Sequence, residues 1–388
     1  IGGGVLLSMA VRRSRARLVS SRVGAFAWLA LCWCWQRWLV VPGLCLAGGA
    51  GGLLPALRMG GRVCSARWRW CWCCSSAGGS GLRRAGILRR RSATPAGAHG
   101  PRRHGETLTV GVVTTYITDY IFPSIVRGIE SVLSANGCIM NLSATYNRVD
   151  HERAILQRAL DSSVDGLIIE GTKTALPNPN IPFYQALREK NIPVVFINGR
   201  YAQMNSSVQV VMDDYNGGIL AARTLLDKGF QRIGGVFKRD DVQGHERFRG
   251  VSEMLLQAGQ DFPDDRICWF GTESRHSLFQ EADGLRLLDS IQQPDGPDAI
   301  VCYNDEVALS LCAALRERGC KVPRDVAIIS FDNSAFAGLA HPALTTLNHP
   351  KDDFGALAAQ KLLHMISGAP EESAVLPWQL IERESLGR

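Results

Sequence analysis

From residue 108 onward the sequence predicts an α/β fold, two doubly wound parallel-sheet lobes around a ligand cleft. Three observations carry that expectation. Short apolar runs alternate strictly with amphipathic stretches of helical period, as parallel strands with helices on both faces require. The region runs for about 280 residues, long for one such sheet and suited to two. Polar residues stand directly behind the apolar runs, where ligands bind in open parallel sheets.

Strands are predicted at 108–114, 139–145, 166–170, 193–198, 208–212, 232–237, 267–270, 299–302 and 326–331. Helices are predicted near 121–136, 150–162, 181–190, 215–228, 243–258, 278–291, 305–318 and 351–367. The division expected is a first lobe at about 107–212 and 349–372 and a second at about 213–348 and 373–388, behind a leader of residues 1–106.

The leader has a different composition. Residues 1–105 hold 17 Arg but no Lys, Asp, Glu, Asn or Tyr, and all 36 acidic residues of the chain come later. The net charge of +7 therefore arises wholly from the leader, and it says nothing about a polyanion partner for the rest. Three readings compete for this segment. Arg12 to Arg17 followed by an apolar stretch suits an export or membrane signal, although Gln36, Arg37, Pro42 and Pro55 interrupt the run. The clustered cysteines, as in Cys71-Trp72-Cys73-Cys74, lack the spacing of paired zinc ligands. The third reading, a GC-rich gene region translated in the wrong frame, explains the Arg, Trp and Cys excess, and a folded domain with 17 cations and no carboxylate is hard to rationalise.

Behind the predicted strands stand Thr114-Thr115-Tyr116, Glu170, Asn198, Lys238, Asn304-Asp305 and Asp332-Asn333. A small polar ligand in such a crevice calls for multi-donor side chains for its polar groups and an aromatic face for its apolar side. Catalysis finds no support, because there is no nucleophile elbow, HExxH, P-loop or dinucleotide fingerprint. No metal or cofactor is expected either. The five Cys after position 105 have no ligand spacing and read as buried thiols of a reducing cytoplasm.

The motifs VGVVTTYITDYIFPSIVRGIE (110–130), VDGLIIEGTK (164–173), FKRDDVQGHERFRG (237–250), VPRDVAIISFDNSAFA (322–337) and LTTLNHPKDDFG (344–355) resemble, in order, the effector domain of the lactose/galactose repressor family. That domain has the periplasmic binding protein-like I fold. The TTYITDYIFPSI and FKRDDVQG runs are similar to the arabinose-responsive branch, where a GntR-type winged helix precedes the domain; nothing in residues 1–105 matches one.

The resemblance implies roles for particular residues. Arg247, three residues before Gly250, matches the family's sugar-binding arginine, the alternative being a solvated helix arginine like Arg249. Asp332 matches its sugar-accepting aspartate, with helix capping as the other reading. His349 falls where repressors place a polar sugar contact, or is a hinge histidine without a ligand. Glu170 and Lys238 end strands and suit the crevice. Gly171 stands where the arabinose branch usually has a proline. Asn198 completes the set; Tyr116 and Tyr120 are candidates for stacking or hydroxyl contact, and of Asn304 and Asp305 one is expected only to cap a helix.

The function implied is a cytoplasmic, sugar-responsive transcription repressor. It would bind a pentose, foremost L-arabinose, work as a homodimer without a membrane, and reach operator DNA through a headpiece not recognisable in this chain. The competing class is an exported or membrane-anchored sugar receptor of a transport system.

Overall fold

In a computed structural model the described residues are 107–119 and 121–387. The first run of elements is β1 (Thr109–Thr114), α1 (Phe122–Ala135), β2 (Ile139–Ala144), α2 (Val149–Asp161), β3 (Gly166–Ile169), α3 (Ile181–Glu189), β4 (Val194–Ile197) and β5 (Val208–Met212). The chain crosses over and builds α4 (Asp214–Asp227), β6 (Ile233–Lys238), α5 (Val242–Gln257), β7 (Ile267–Phe270), α6 (Ala282–Ile291), β8 (Ala299–Cys302), α7 (Asp305–Glu317), β9 (Ala327–Asp332) and β10 (Thr345–Asn348). It returns as α8 (Lys351–Ile366) and β11 (Ala374–Leu376) and crosses a third time into β12 (Gln379–Ile381).

These strands form two six-stranded sheets, β11-β5-β4-β3-β1-β2 and β12-β10-β9-β8-β6-β7. All pairings are parallel except β10 with β12. The central strands β3 and β8 are buried at every residue, as strands covered by helices on both faces must be. One face of the first sheet carries α8, which packs on α1; the matching face of the second carries α4 and α5. These four helices share a core that runs from one sheet to the other, with Ile125, Phe354, Ala222 and Val251 among its members. The outer faces have their own cores, around Leu156 and Phe196 in the first lobe and Leu288 and Leu311 in the second.

All nine predicted strands and eight predicted helices have counterparts. Two details differ. The strand at 374–376 pairs with β5, so the first lobe extends through 376 and the second takes up the chain only from 379, not from 373. The apolar side chains of β10, β11 and β12 are too few to stand out from loop sequence, and these short strands are set by pairing rather than by local pattern. Among the described residues no helix is long and apolar enough to cross a membrane.

Candidate functional site

Three crossovers bring the carboxyl ends of both sheets to one interlobe cavity. Thr115, Tyr116, Asp119, Glu170 and Asn198 line it from the first lobe; Lys238, Asp241, Arg247, Arg275, Tyr303, Asn304 and Asp332 line it from the second. Most of these residues stand at or just after strand ends, because the loops after parallel strands all open on the same side; Arg247, on a helix, and Arg275, in an irregular segment, are the exceptions.

Arg247 lies on α5 and is 1 % exposed. Its Nε donates to Asp214 Oδ1 at 2.8 Å, and an Nη donates to the carbonyl oxygen of Tyr303. The guanidinium lies over Phe331, Tyr303 and Trp378 at 4.3, 4.8 and 5.0 Å, and Asp332 Oδ1 is 3.9 Å from its far nitrogen. Burial opposes the charge, but the carboxylates of Asp214 and Asp332 outweigh it and hold the group protonated. Asp214 is pushed up to about 6 by burial, with Arg247 pulling it back.

On the opposite wall, Glu170 accepts from the Thr115 N–H at 2.9 Å, from the Thr115 hydroxyl, and from Asn198 Nδ2 at 2.9 Å. Burial raises its carboxyl above the ordinary range despite these donors. Asn198 Oδ1 is buried and has no hydrogen-bond partner among the described residues. Lys238 is paired with Asp241 and lies 3.8 Å from Asp240; burial works against its charge, but Asp241 keeps it protonated. Asn198, directly after β4, and Asp332, the last residue of β9, have left-handed backbones, φ 62° and 97°. At Asp332 that conformation is held by Lys351, whose Nζ donates to the carbonyl oxygens of Asp332, Asn333 and His349.

Of the residues singled out from sequence, Tyr116, Glu170, Asn198, Lys238, Arg247, Asn304 and Asp332 meet at this cavity. Tyr120 lies outside the described residues. Asn304 both borders the cavity and caps α7, accepting from the Val307 N–H at 3.0 Å. Asp305 is not in the lining: it is fully buried one residue further on and accepts from Ser330 Oγ, Thr346 Oγ1 and the Ser334 N–H. Its place is a corollary of the helix it begins, which turns its carboxylate back toward β9 and β10. His349 is likewise outside the lining, packed edge-on to Phe354 and Trp378 at 4.6 and 5.8 Å. Both of its ring nitrogens lack a hydrogen-bond partner among the described residues, and burial, then Lys351 and Arg247, push its pKa down to about 3.

Sequence reasoning missed Asp119, Asp214, Asp241, Arg275, Tyr303 and Trp378. Tyr303 directly follows β8 and was open to the same strand-end argument that found Asn304. Arg275 and Trp378 carry no local signal, since one sits in an irregular segment and the other between two three-residue strands. Among the described residues no group of three His, Cys, Asp or Glu is set to hold a metal ion.

The fold and this cavity define a two-lobed ligand-binding protein, and residues 222–386 match the periplasmic binding protein-like domain. The chain is 39 % identical over 268 residues to the arabinose metabolism transcriptional repressor of Geobacillus stearothermophilus, covering 69 % of this chain and 72 % of that protein. It is 35 % identical over 283 residues to the repressor of the same name from Halalkalibacterium halodurans, covering 71 % and 74 %. Among solved structures, the transcription regulator CcpA of Lactococcus lactis superposes with a TM-score of 0.63 at 28 % identity, over 72 % of this chain and 99 % of that one. The chain belongs to the lactose/galactose (LacI) family of transcriptional repressors, among the arabinose metabolism repressors.

Proposed function

We propose that this chain is the effector-binding part of a cytoplasmic repressor, that its cleft takes a free pentose, L-arabinose first, and that the occupied cleft changes the lobe geometry of a homodimer so that operator DNA is released. The observation that carries the reading is Arg247. A guanidinium 1 % exposed, caged by three aromatic rings and facing a polar cavity between two lobes, supplies forked donors beside the acceptor Asp332. Glu170, Asn198 and Lys238 offer acceptors and donors from across the cleft, and Tyr116 and Tyr303 offer rings. Each cation of the lining has a carboxylate neighbour, which favours a neutral polyol over a phosphate.

No enzymatic role is proposed, since the relatives are repressors. DNA contact is assigned to a headpiece of the kind the relatives' names imply, not to any residue described here. Isothermal titration of the full chain with L-arabinose, D-xylose, D-ribose and D-galactose tests the reading. Saturable heat with L-arabinose strongest is expected; no heat with any of the four sinks it.

A further inference from the structure

A second cavity adjoins the first, and Asp119, Arg275 and Glu306 line both. Arg275 borders the inner cavity together with Tyr116, and it also borders an outer cavity formed with Glu306, Leu309, Ser310 and Ser334. Arg275 comes from the second lobe, in the irregular segment between β7 and α6. Its guanidinium lies over the Tyr116 ring at 4.2 Å, is paired with Asp119, and has Glu306 Oε1 at 3.9 Å. Tyr116 and Asp119 belong to the first lobe, so these contacts cross the cleft at its mouth.

We propose that Arg275 is the specificity gate of the cleft: closed, it limits the occupant to a single sugar ring, and opened, it joins the inner cavity to an outer compartment that accepts the second ring or aglycone of a glycoside. The inference rests on the sugar reading given above. Three features argue for it. The gate is one flexible side chain rather than backbone, so it can swing without disturbing either sheet. Its ties are a partly exposed ion pair and a ring contact, both of a kind weak enough to break. The outer compartment has the make-up of a ring subsite: Leu309 offers an apolar face, Ser310 and Glu306 offer polar atoms at the rim, and the buried Ser334 Oγ has no hydrogen-bond partner among the described residues.

The test compares the full chain with Arg275→Ala, Arg275→Lys and Asp119→Asn by titration with L-arabinose and with 4-nitrophenyl α- and β-L-arabinopyranoside. The parent is expected to bind the free sugar and to reject both glycosides. Arg275→Ala should bind at least one glycoside tenfold or more tighter than the parent, while free arabinose weakens by about three- to tenfold. Arg275→Lys, which keeps a cation beside Asp119, should still exclude the glycosides; Asp119→Asn, which frees the guanidinium from the other lobe, should admit them in part. Melting curves establish that each variant is folded, and Asp119→Asn carries the test if Arg275→Ala is not. Variants that bind arabinose and reject both glycosides as the parent does overturn the gate and leave the sugar reading standing. A parent that accepts the glycosides as readily as arabinose overturns the gate as well. A parent that binds no pentose removes the sugar reading, and the gate falls with it.

Discussion

The two lobes meet one packing problem with different residues, and the difference isolates the part of the second lobe that packing does not require. In each lobe the helix that begins just after a crossover lies against the helix that follows the first strand: α8 on α1, and α4 on α5. Both pairs touch through reciprocal glycines. A Cβ on Gly128 would lie 2.1 Å from the carbonyl oxygen of Asp352, and one on Gly355 would lie 2.1 Å from that of Ile125. In the second lobe a Cβ on Gly218 would lie 2.2 Å from the carbonyl oxygen of Arg247, and one on Gly250 would lie 2.0 Å from that of Tyr215.

Those contacts put Ile125 and Arg247 at equivalent places, 0 % and 1 % exposed. An aliphatic side chain satisfies the site in one lobe, so the helix pair itself needs only volume there. A guanidinium in the other lobe brings the desolvation of a charge that packing alone would not select. Asp214 and Lys351 also correspond, each the first residue of its crossover helix. Asp214 reaches Arg247, while Lys351 reaches the carbonyl oxygens at the end of β9.

The largest expected effect comes from making the second lobe like the first. Arg247→Ala alone leaves the Asp214 carboxylate buried without its cation and should cost about 3–5 kcal/mol of stability. The double variant Arg247→Met with Asp214→Asn removes both charges, and it should melt within a few degrees of the parent while arabinose affinity drops more than a hundredfold. Chemical denaturation beside calorimetric titration reads both; a double variant that still binds the sugar normally would show that the charge serves neither packing nor ligand.

A smaller effect separates the buried carboxylates of the two lobes. Glu152 in α2 accepts from Tyr184 and Tyr201 hydroxyls, from Asn178 and Asn180 Nδ2, and from the Thr172 N–H. Asp305 has three neutral donors, and burial, with Asp332 nearby, raises its carboxyl to about 6. The folded state thus holds the Asp305 proton more tightly than the unfolded chain does. The resulting stabilisation is complete below about pH 4 and is lost as the pH rises through about 6, some 3 kcal/mol at most. The melting temperature of the parent relative to Asp305→Asn should fall across that window and then stay level. A difference that does not change between pH 4 and 7 would contradict the assignment.

The glycine contacts give the smallest effect and the sharpest comparison. Gly128→Ala and Gly218→Ala each drive a methyl into backbone and should each cost about 1–3 kcal/mol, the two being similar. Only Gly218→Ala should also weaken sugar binding, because the atom it displaces belongs to Arg247. Equal losses of affinity in both variants would show that the helix pairs act together rather than lobe by lobe.

What the sequence determined by itself is the repeating layer plan and the strand-end residues. Largely apolar runs such as Gly166–Ile169 and residues 327–331 are buried along their length, and the polar residues behind them reach the cleft because the parallel strands end on the same side. Glu170, Asn198, Lys238, Asn304 and Asp332 were legible for that reason, and Arg247 through its register before Gly250. Tertiary structure decided the rest. Whether Asp305 or Asn304 faces the cavity depends on the rotation of α7 against β9, which no local pattern encodes. Trp378 reaches Arg247 only because the chain crosses a third time between β11 and β12, and Arg275 meets Tyr116 and Asp119 only where the lobes close. Contacts between residues more than a hundred positions apart are fixed by how two rigid layers are set against each other, a property of packed surfaces that a linear string does not carry.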